Sequence, residues 1–318
     1  SVNNIVYVGG NFTSFCGSPR QRIAAMNLTT GALLPWNPGA NNDVYSLYVH
    51  NGSLYAGGFF TTIGGQPHNR IAKFTGPTGA ISTWNPGITT GNYVSCIVGR
   101  GSKIYFGGDV LITVGTGKYV AEVDTTTGAA TAWASYPDNQ VNALAIDGNN
   151  LYVGGIFVNV GATPQNYIAK FYLGGGGAML SGWNPNLDGN VQSLCAKSGT
   201  LYAGGAFTFV DSDGRDHIAE IDTSSGFATS WNPGANSDVF DLEYKNGILY
   251  ALGNVSVFGG VSENFIGALD VTSNTATSWN ALVNSTAFDA AIAGTNIYIG
   301  GGLGTVLGQP RTGFAVIC

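Results

Sequence analysis

The sequence predicts an all-β fold, a β-propeller of four-stranded antiparallel blades, from three observations. Tryptophan returns at a nearly constant interval, a Tyr-x-Gly-Gly motif returns with it, and each interval holds four strand-like stretches separated by turn residues. The tryptophans are Trp36, Trp84, Trp133, Trp183, Trp231 and Trp279, spaced 48, 49, 50, 48 and 48 residues apart. The tyrosine motif starts at Tyr7, Tyr55, Tyr105, Tyr152, Tyr202 and Tyr298, and Tyr250-Ala-Leu-Gly reads as a degenerate copy that lacks its second Gly.

The first strand of a repeat is a short apolar stretch such as Val44–Val49, Val141–Ile146 or Val191–Ala196. The second carries the tyrosine and runs into Gly-Gly and an aromatic, as in Leu54-Tyr55-Ala56-Gly57-Gly58-Phe59-Phe60. The third is Arg70-Ile71-Ala72-Lys73-Phe74, repeated as Tyr167-Ile168-Ala169-Lys170-Phe171 and His217-Ile218-Ala219-Glu220-Ile221. The fourth ends at the tryptophan, as in Ala80-Ile81-Ser82-Thr83-Trp84. Thr30-Gly31, Thr78-Gly79, Thr127-Gly128, Ser225-Gly226 and Ser273-Asn274 join the third to the fourth, with the Gly or Asn that a positive φ demands. Four short strands per unit, repeated around a ring, limit exposed sheet edges, and suit blades better than the coils of a solenoid.

The repeated residues read as structural. The Tyr and Trp rings fill apolar layers between blades, the Gly-Gly pairs allow a bulge or a close backbone approach, and the Trp-Asn-Pro-Gly segments turn the chain into the next blade.

Composition bounds the function. An apolar fraction of 44% is ample for a core and excludes a disordered chain. Only 12 Lys+Arg and a net charge of −6 argue against a nucleic-acid partner, which needs clustered positive charge. The longest apolar runs are strand-sized, well short of the roughly 20 residues of a membrane span. Few Lys and Glu, with abundant Thr, Ser, Asn, Gly and aromatics, point to a secreted or cell-surface protein. A start at Ser1 fits a processed chain and a trimmed one equally. The sequons at Asn11, Asn27, Asn51, Asn254 and Asn284 are about as many as chance supplies in such a chain, so they carry no weight.

The stretch from Leu54 to Phe74, followed by Thr-Gly, Trp-Asn-Pro-Gly and a Val-x-x-Leu strand, resembles the delta-sixty repeat family. The resemblance covers essentially the whole chain and is strongest at 44–86 and 191–233. It weakens where Trp133 is followed by Ala-Ser and at Tyr250. It implies a propeller in a large secreted or surface-displayed bacterial protein, and brings no catalytic residues.

Residues 1–318 read as one domain with partial copies at both ends. The first copy (4–36) lacks its first strand and the last (287–318) lacks its fourth. Seven blades are favoured. The alternative is six blades, with 287–294 completing the first and 295–318 left as a surplus apolar hairpin. Cys96 and Cys195 occupy first-strand positions and read as buried thiols. Cys16 and Cys318 would fall in neighbouring blades of a seven-bladed ring, which makes them a disulfide candidate in an oxidising compartment.

No enzyme signature emerges. His50, His68 and His217 lie in different repeats without metal-ligand spacing, and neither a Gly-x-Ser-x-Gly elbow nor a P-loop is present. Asp211, Asp213 and Asp216 offer hard oxygens for Ca²⁺, but they sit in a loop that reads Gly64-Gly65-Gln66-Pro67 elsewhere, and a solvated turn is the plainer reading. Asp238, Asp241 and Glu243 group near one first strand, where a glycoside hydrolase would need paired acids. Glu122 and Glu220 alternate with Lys73 and Lys170 on third strands, which suggests charge pairs. The residues that break the repeat are Arg22, Arg70, Tyr119, Tyr167, His217 and Phe265, just before each third strand. Varied side chains on a fixed scaffold are what a binding rim presents.

The expected function is therefore that of a non-enzymatic extracellular module without cofactors. Its partners would be other protein subunits, including copies of itself in a surface assembly or filament. A carbohydrate-binding propeller that takes surface glycans is the alternative, and a polysaccharide hydrolase or lyase comes third.

Overall fold

A computed structural model describes residues 4–76, 78–112, 118–131, 133 and 136–317. Among the described residues seven main antiparallel sheets succeed one another along the sequence, one per repeat, beside six two-residue hairpins. The pattern is clearest in the second repeat, where Val44–His50 pairs with Ser53–Gly58 and Ser53–Gly58 with Ile71–Thr75. The fifth, sixth and seventh repeats repeat it, and the last places Ala287–Ala293, Asn296–Gly301 and Phe314–Ile317 in one sheet.

Local chemistry accounts for these boundaries. The first hairpin turns at Asn51-Gly52 and Asn246-Gly247, where both residues have positive φ, the conformation that twists with the strands. The turn after the third strand is tied by an Asx side chain. Asp222 Oδ1 accepts from the Ser224 and Ser225 N–H groups, and Asn27 Oδ1 accepts from Thr29 and Thr30.

Two features differ from the expected four-stranded blade. The fourth stretch is cut to a single bridge in most repeats (Met26↔Leu33, Phe74↔Ile81, Ile221↔Ala228, Leu269↔Ala276), and among the described residues Ala178–Met179 alone forms a short strand. A polar side chain takes up backbone groups that the next rung would use: buried Arg215 donates through Nη2 to the Thr229 carbonyl and half-buried Arg20 through Nη2 to that of Leu34. The second difference lies between the second and third strands. The expected loop folds into a two-residue hairpin, such as Thr62–Ile63 against Gln66–Pro67. An Asx side chain ahead of the first strand holds it; Asn41 Oδ1, for example, accepts from the Thr61 and Thr62 N–H groups.

The tyrosine and tryptophan of each of the first six repeats meet edge to face, Tyr55 on Trp84 at 5.3 Å and Tyr202 on Trp231 at 5.5 Å. The indole then reaches the next repeat. Trp84 Nε1 donates to the Asp124 carbonyl at 2.8 Å and Trp231 Nε1 to that of Asp270 at 3.1 Å. Lys73 and Lys170 extend the same pattern, donating to the carbonyls of Thr125 and Thr223. Glu220 accepts from the Thr229 hydroxyl, so the expected Lys–Glu alternation encodes separate bonds and not charge pairs.

The two glycines of the tyrosine motif have different jobs. A Cβ on the first would collide with the next repeat's first-strand valine: Gly57 with Val94 at 2.6 Å, Gly204 with Val239 at 2.7 Å. A Cβ on the second, Gly58, would run into the Asp43 carbonyl where the first strand bulges. The register corrects the reading of the degenerate copy. Gly253 pairs with Val239 as Gly58 does with Val44, so Leu252 replaces the first glycine and not the second. Ala287, where other repeats have valine, makes room for it, and both side chains are fully buried in one cluster.

The chain forms two compact units. One comprises residues 1–146, 159–162 and 172–179; the other comprises 147–158, 163–171 and 180–318, so the fourth repeat contributes to both. In the first, separate clusters centre on Phe60, Ile63 and Phe74 and on Tyr55, Ile97 and Phe106. In the second they centre on Leu249, Phe258 and Leu269 and on Leu252, Ile299 and Val306.

Candidate functional site, a strained rim

Arg22, Arg70, Tyr119, Tyr167, His217 and Phe265 share an unusual backbone. All six have φ between 63° and 66°, the left-handed region in which a Cβ is strained. Gly313, at the same position of the seventh repeat, has φ 75°. The turn geometry therefore favours glycine, and six repeats hold a large side chain there instead. Strain of this kind costs on the order of 1 kcal/mol per residue and gathers where side chains are needed.

Arg22, Arg70 and His217 reach toward the start of the following repeat, while Phe265 packs against a hydrophobic cluster. In the first unit, Arg22 Nε lies 3.4 Å from Asp43 Oδ1. Arg70 donates to the Gly91 and Phe59 carbonyls, and its guanidinium lies 4.9 Å from the centre of the Phe59 ring. In the second unit, His217 Nδ1 lies 3.4 Å from Asp238 Oδ1.

Just beyond these acids, a β-bulge in the first strand re-aims one side chain. The bulged residues include Tyr45, Gln192, Phe240 and Phe288. Tyr45 is 51% and Phe288 57% exposed, so the bulge delivers aromatic surface to water. Tyr45 packs edge-on against Tyr93 at 5.4 Å, and Phe240 stacks on Phe288 at 5.9 Å. The first unit's rim thus combines Arg22, Asp43, Tyr45, Arg70 and Tyr93, and the second unit's combines His217, Asp238, Phe240 and Phe288. The sequence reading missed the bulged residues. Their signal was an aromatic directly after the leading first-strand residue, in Val44-Tyr45, Val239-Phe240 and Ala287-Phe288.

The other candidate sites fare differently. Asp211, Asp213 and Asp216 lie on and just after a turn. The chain reverses between Val210 and Asp213, all three residues are exposed, and among the described residues no group of three His, Cys, Asp or Glu is placed to hold a metal. Cys16 is exposed in a turn, and Cys318 lies outside the described residues. Of the acids grouped by sequence, Asp238 goes to the rim, while Asp241 and Glu243 are joined by Asp289. Asp241 accepts from the Ala290 N–H at 2.9 Å and from the Ser193 hydroxyl at 3.3 Å, tying three first strands together. Burial raises the Asp241 carboxyl, and burial followed by the Asp241 charge pushes Glu243 up to about 8. Burial and repulsion from Asp241 and Glu243 lift Asp289 well above the usual range.

No protein-family model and no curated relative matches the chain. Among solved structures, it is similar to the WD40 β-propeller domain of Doa1, with a TM-score of 0.62 and 9% identity over 93% of this chain and 86% of that one. The chain is a β-propeller. It is also similar to the computationally designed Ika8 protein, with a TM-score of 0.59 and 15% identity over 98% of this chain and 83% of that one. No described helix is long and apolar enough to cross a membrane.

Proposed function

We propose that this propeller is a non-enzymatic interaction module that binds a protein partner through the left-handed and bulged rim residues that each unit carries. The observation that carries the reading is the retention of Arg, Tyr, His or Phe in six repeats at a position whose geometry suits glycine. A purely architectural turn would shed that strain, as the Gly313 turn does. Exposed aromatics beside paired charges match the composition of protein-binding surfaces, where Tyr, Phe and Arg are enriched.

The low charge, and the resemblance to delta-sixty repeats, support an extracellular or cell-surface setting with a role as a subunit of a surface assembly. Seven successive sheets, the last built like the others, support seven blades over six and a surplus hairpin.

The test compares the wild type with a Tyr167→Gly, His217→Gly, Phe265→Gly variant. Each is assayed for self-association by light scattering, for binding to extracellular proteins and for binding to a glycan panel. The variant is expected to keep its fold and lose protein binding. Equal binding by both proteins would overturn the rim assignment, and binding confined to glycans would overturn the choice of partner.

A further inference from the structure

The position two residues before the left-handed one carries a polar side chain in nearly every repeat: Arg20, His68, Gln165, Arg215, Glu263 and Arg311. His68, Gln165, Arg215 and Glu263 are buried, with Glu263 only 1% exposed. In three of these repeats the partner follows a rule, whereas Gln165 donates to the Ile168 and Trp183 carbonyls. Arg20 donates to the carbonyl of Leu34, Arg215 to that of Thr229, and His68 bonds the backbone of Ser82. In all three the partner lies 14 residues on, so the counterpart for Glu263 is Thr277.

The backbone around Glu263 shows what is missing. Thr277 N–H donates to the Ala268 carbonyl at 2.8 Å, beside the Leu269↔Ala276 bridge. A regular antiparallel ladder would return a second bond, from Ala268 N–H to the Thr277 carbonyl. The Ala268 N–H bonds the Glu263 carboxyl instead. The other carboxyl oxygen, Oε2, is buried with no hydrogen-bond partner among the described groups.

We infer that Glu263 carries a proton on the acid side of neutrality and that its neutral carboxyl closes the missing rung, accepting from Ala268 N–H and donating to the Thr277 carbonyl. A protonated carboxyl has one acceptor and one donor for these two groups, whereas a carboxylate offers only acceptors and would face the carbonyl with like polarity. Arginine fills the donor role permanently in two repeats. Glutamate fills it only while protonated, so the sixth repeat has a pH-sensitive seam where its relatives have a fixed one.

The surrounding elements bring no charge onto this carboxyl. The hairpin Val257–Phe258 with Val261–Ser262 and the segment 275–279 contain no ionisable side chain. On the packed strands, Asp270 is tied to Thr272 and Ser273, and the Tyr250 ring lies against Trp279. Burial is accordingly the main cause that pushes the carboxyl up to about 7, offset in part by the Ala268 bond. A folded-state value above the unfolded one means that the stability is present at low pH and is lost as pH rises through about 7.

The test is amide hydrogen exchange of the full chain at pH 6 and pH 8.5, corrected for the intrinsic rate. Protection of the Thr277–Trp279 amides is expected to fall at least tenfold between the two. Protection of Thr229–Trp231, seamed by Arg215, should stay unchanged. In Glu263→Gln, whose amide supplies an acceptor and a donor at every pH, the loss should vanish. Equal corrected protection of Thr277–Trp279 at both pH values in the wild type would overturn the inference, as would a loss that persists in Glu263→Gln.

Discussion

Exchanging Leu252 and Ala287 for the pair used elsewhere tests whether the repeats interlock as described. In the regular arrangement a glycine receives the next repeat's valine, and a Cβ on Gly204 would lie 2.7 Å from Val239. The sixth repeat inverts the sizes, with Leu252 and Ala287 both fully buried. Leu252→Gly removes four buried carbons and loosens a strand. The cavity and transfer losses cost roughly 3–4 kcal/mol, and glycine in a strand adds about 0.5–1 kcal/mol. Ala287→Val forces two methyl groups into space that Leu252 occupies, at a cost of about 1–3 kcal/mol. The double variant restores the glycine–valine pair, so its destabilisation should fall below the sum of the singles by at least about 2 kcal/mol. Urea unfolding of the four proteins, with comparable slopes, measures this coupling. Additivity within about 0.5 kcal/mol would refute the interlocking of these two positions.

Trp84→Phe loses the bond to the Asp124 carbonyl and the second indole ring, and should cost about 2–3 kcal/mol in urea unfolding; the same change at the half-buried Trp279 should cost less. Gly58→Ala places a methyl group against the Asp43 carbonyl at the bulge and should destabilise the second repeat by roughly 2–3 kcal/mol, seen as faster exchange of the Tyr55–Gly58 amides. Glu243 is raised to about 8 in the folded chain, so the stability tied to its protonated form is present at low pH and is lost as pH rises through about 8. The melting temperature of Glu243→Gln should accordingly fall less than that of the wild type between pH 7 and pH 9.

The repeat period, the strand order within a repeat and the Tyr–Trp layer were legible because each copy restates them. The rim was legible for a related reason. Arg22, Arg70, Tyr119, Tyr167, His217 and Phe265 vary in chemistry while their neighbours do not. Sequence could not show that these residues are left-handed, since Arg, Tyr, His and Phe do not announce that conformation as glycine or asparagine does, and at this position glycine came only at Gly313.

The bulges were hidden because an extra residue shifts register without changing composition. The single-bridge fourth stretch was hidden because the side chains that displace its rung, Arg20 and Arg215, look like surface residues in a chain. Asp289 joins Asp241 and Glu243 from 46 residues away or more, a distance only the packing of successive repeats closes. The two glycines of Gly57-Gly58 look interchangeable in sequence, and only the cross-strand register separates the one that admits a valine from the one that admits a carbonyl.

The central claim is that the rim makes the contact. Its most direct test is site-specific photo-crosslinking, with a benzophenone side chain placed at Tyr119, Tyr167 or Phe265 and, for comparison, at Asn51 or Asn246 in the hairpin turns at the other end of the first strand. The account predicts partner adducts from the three rim positions and none from the turns. Adducts from the turns alone would contradict it.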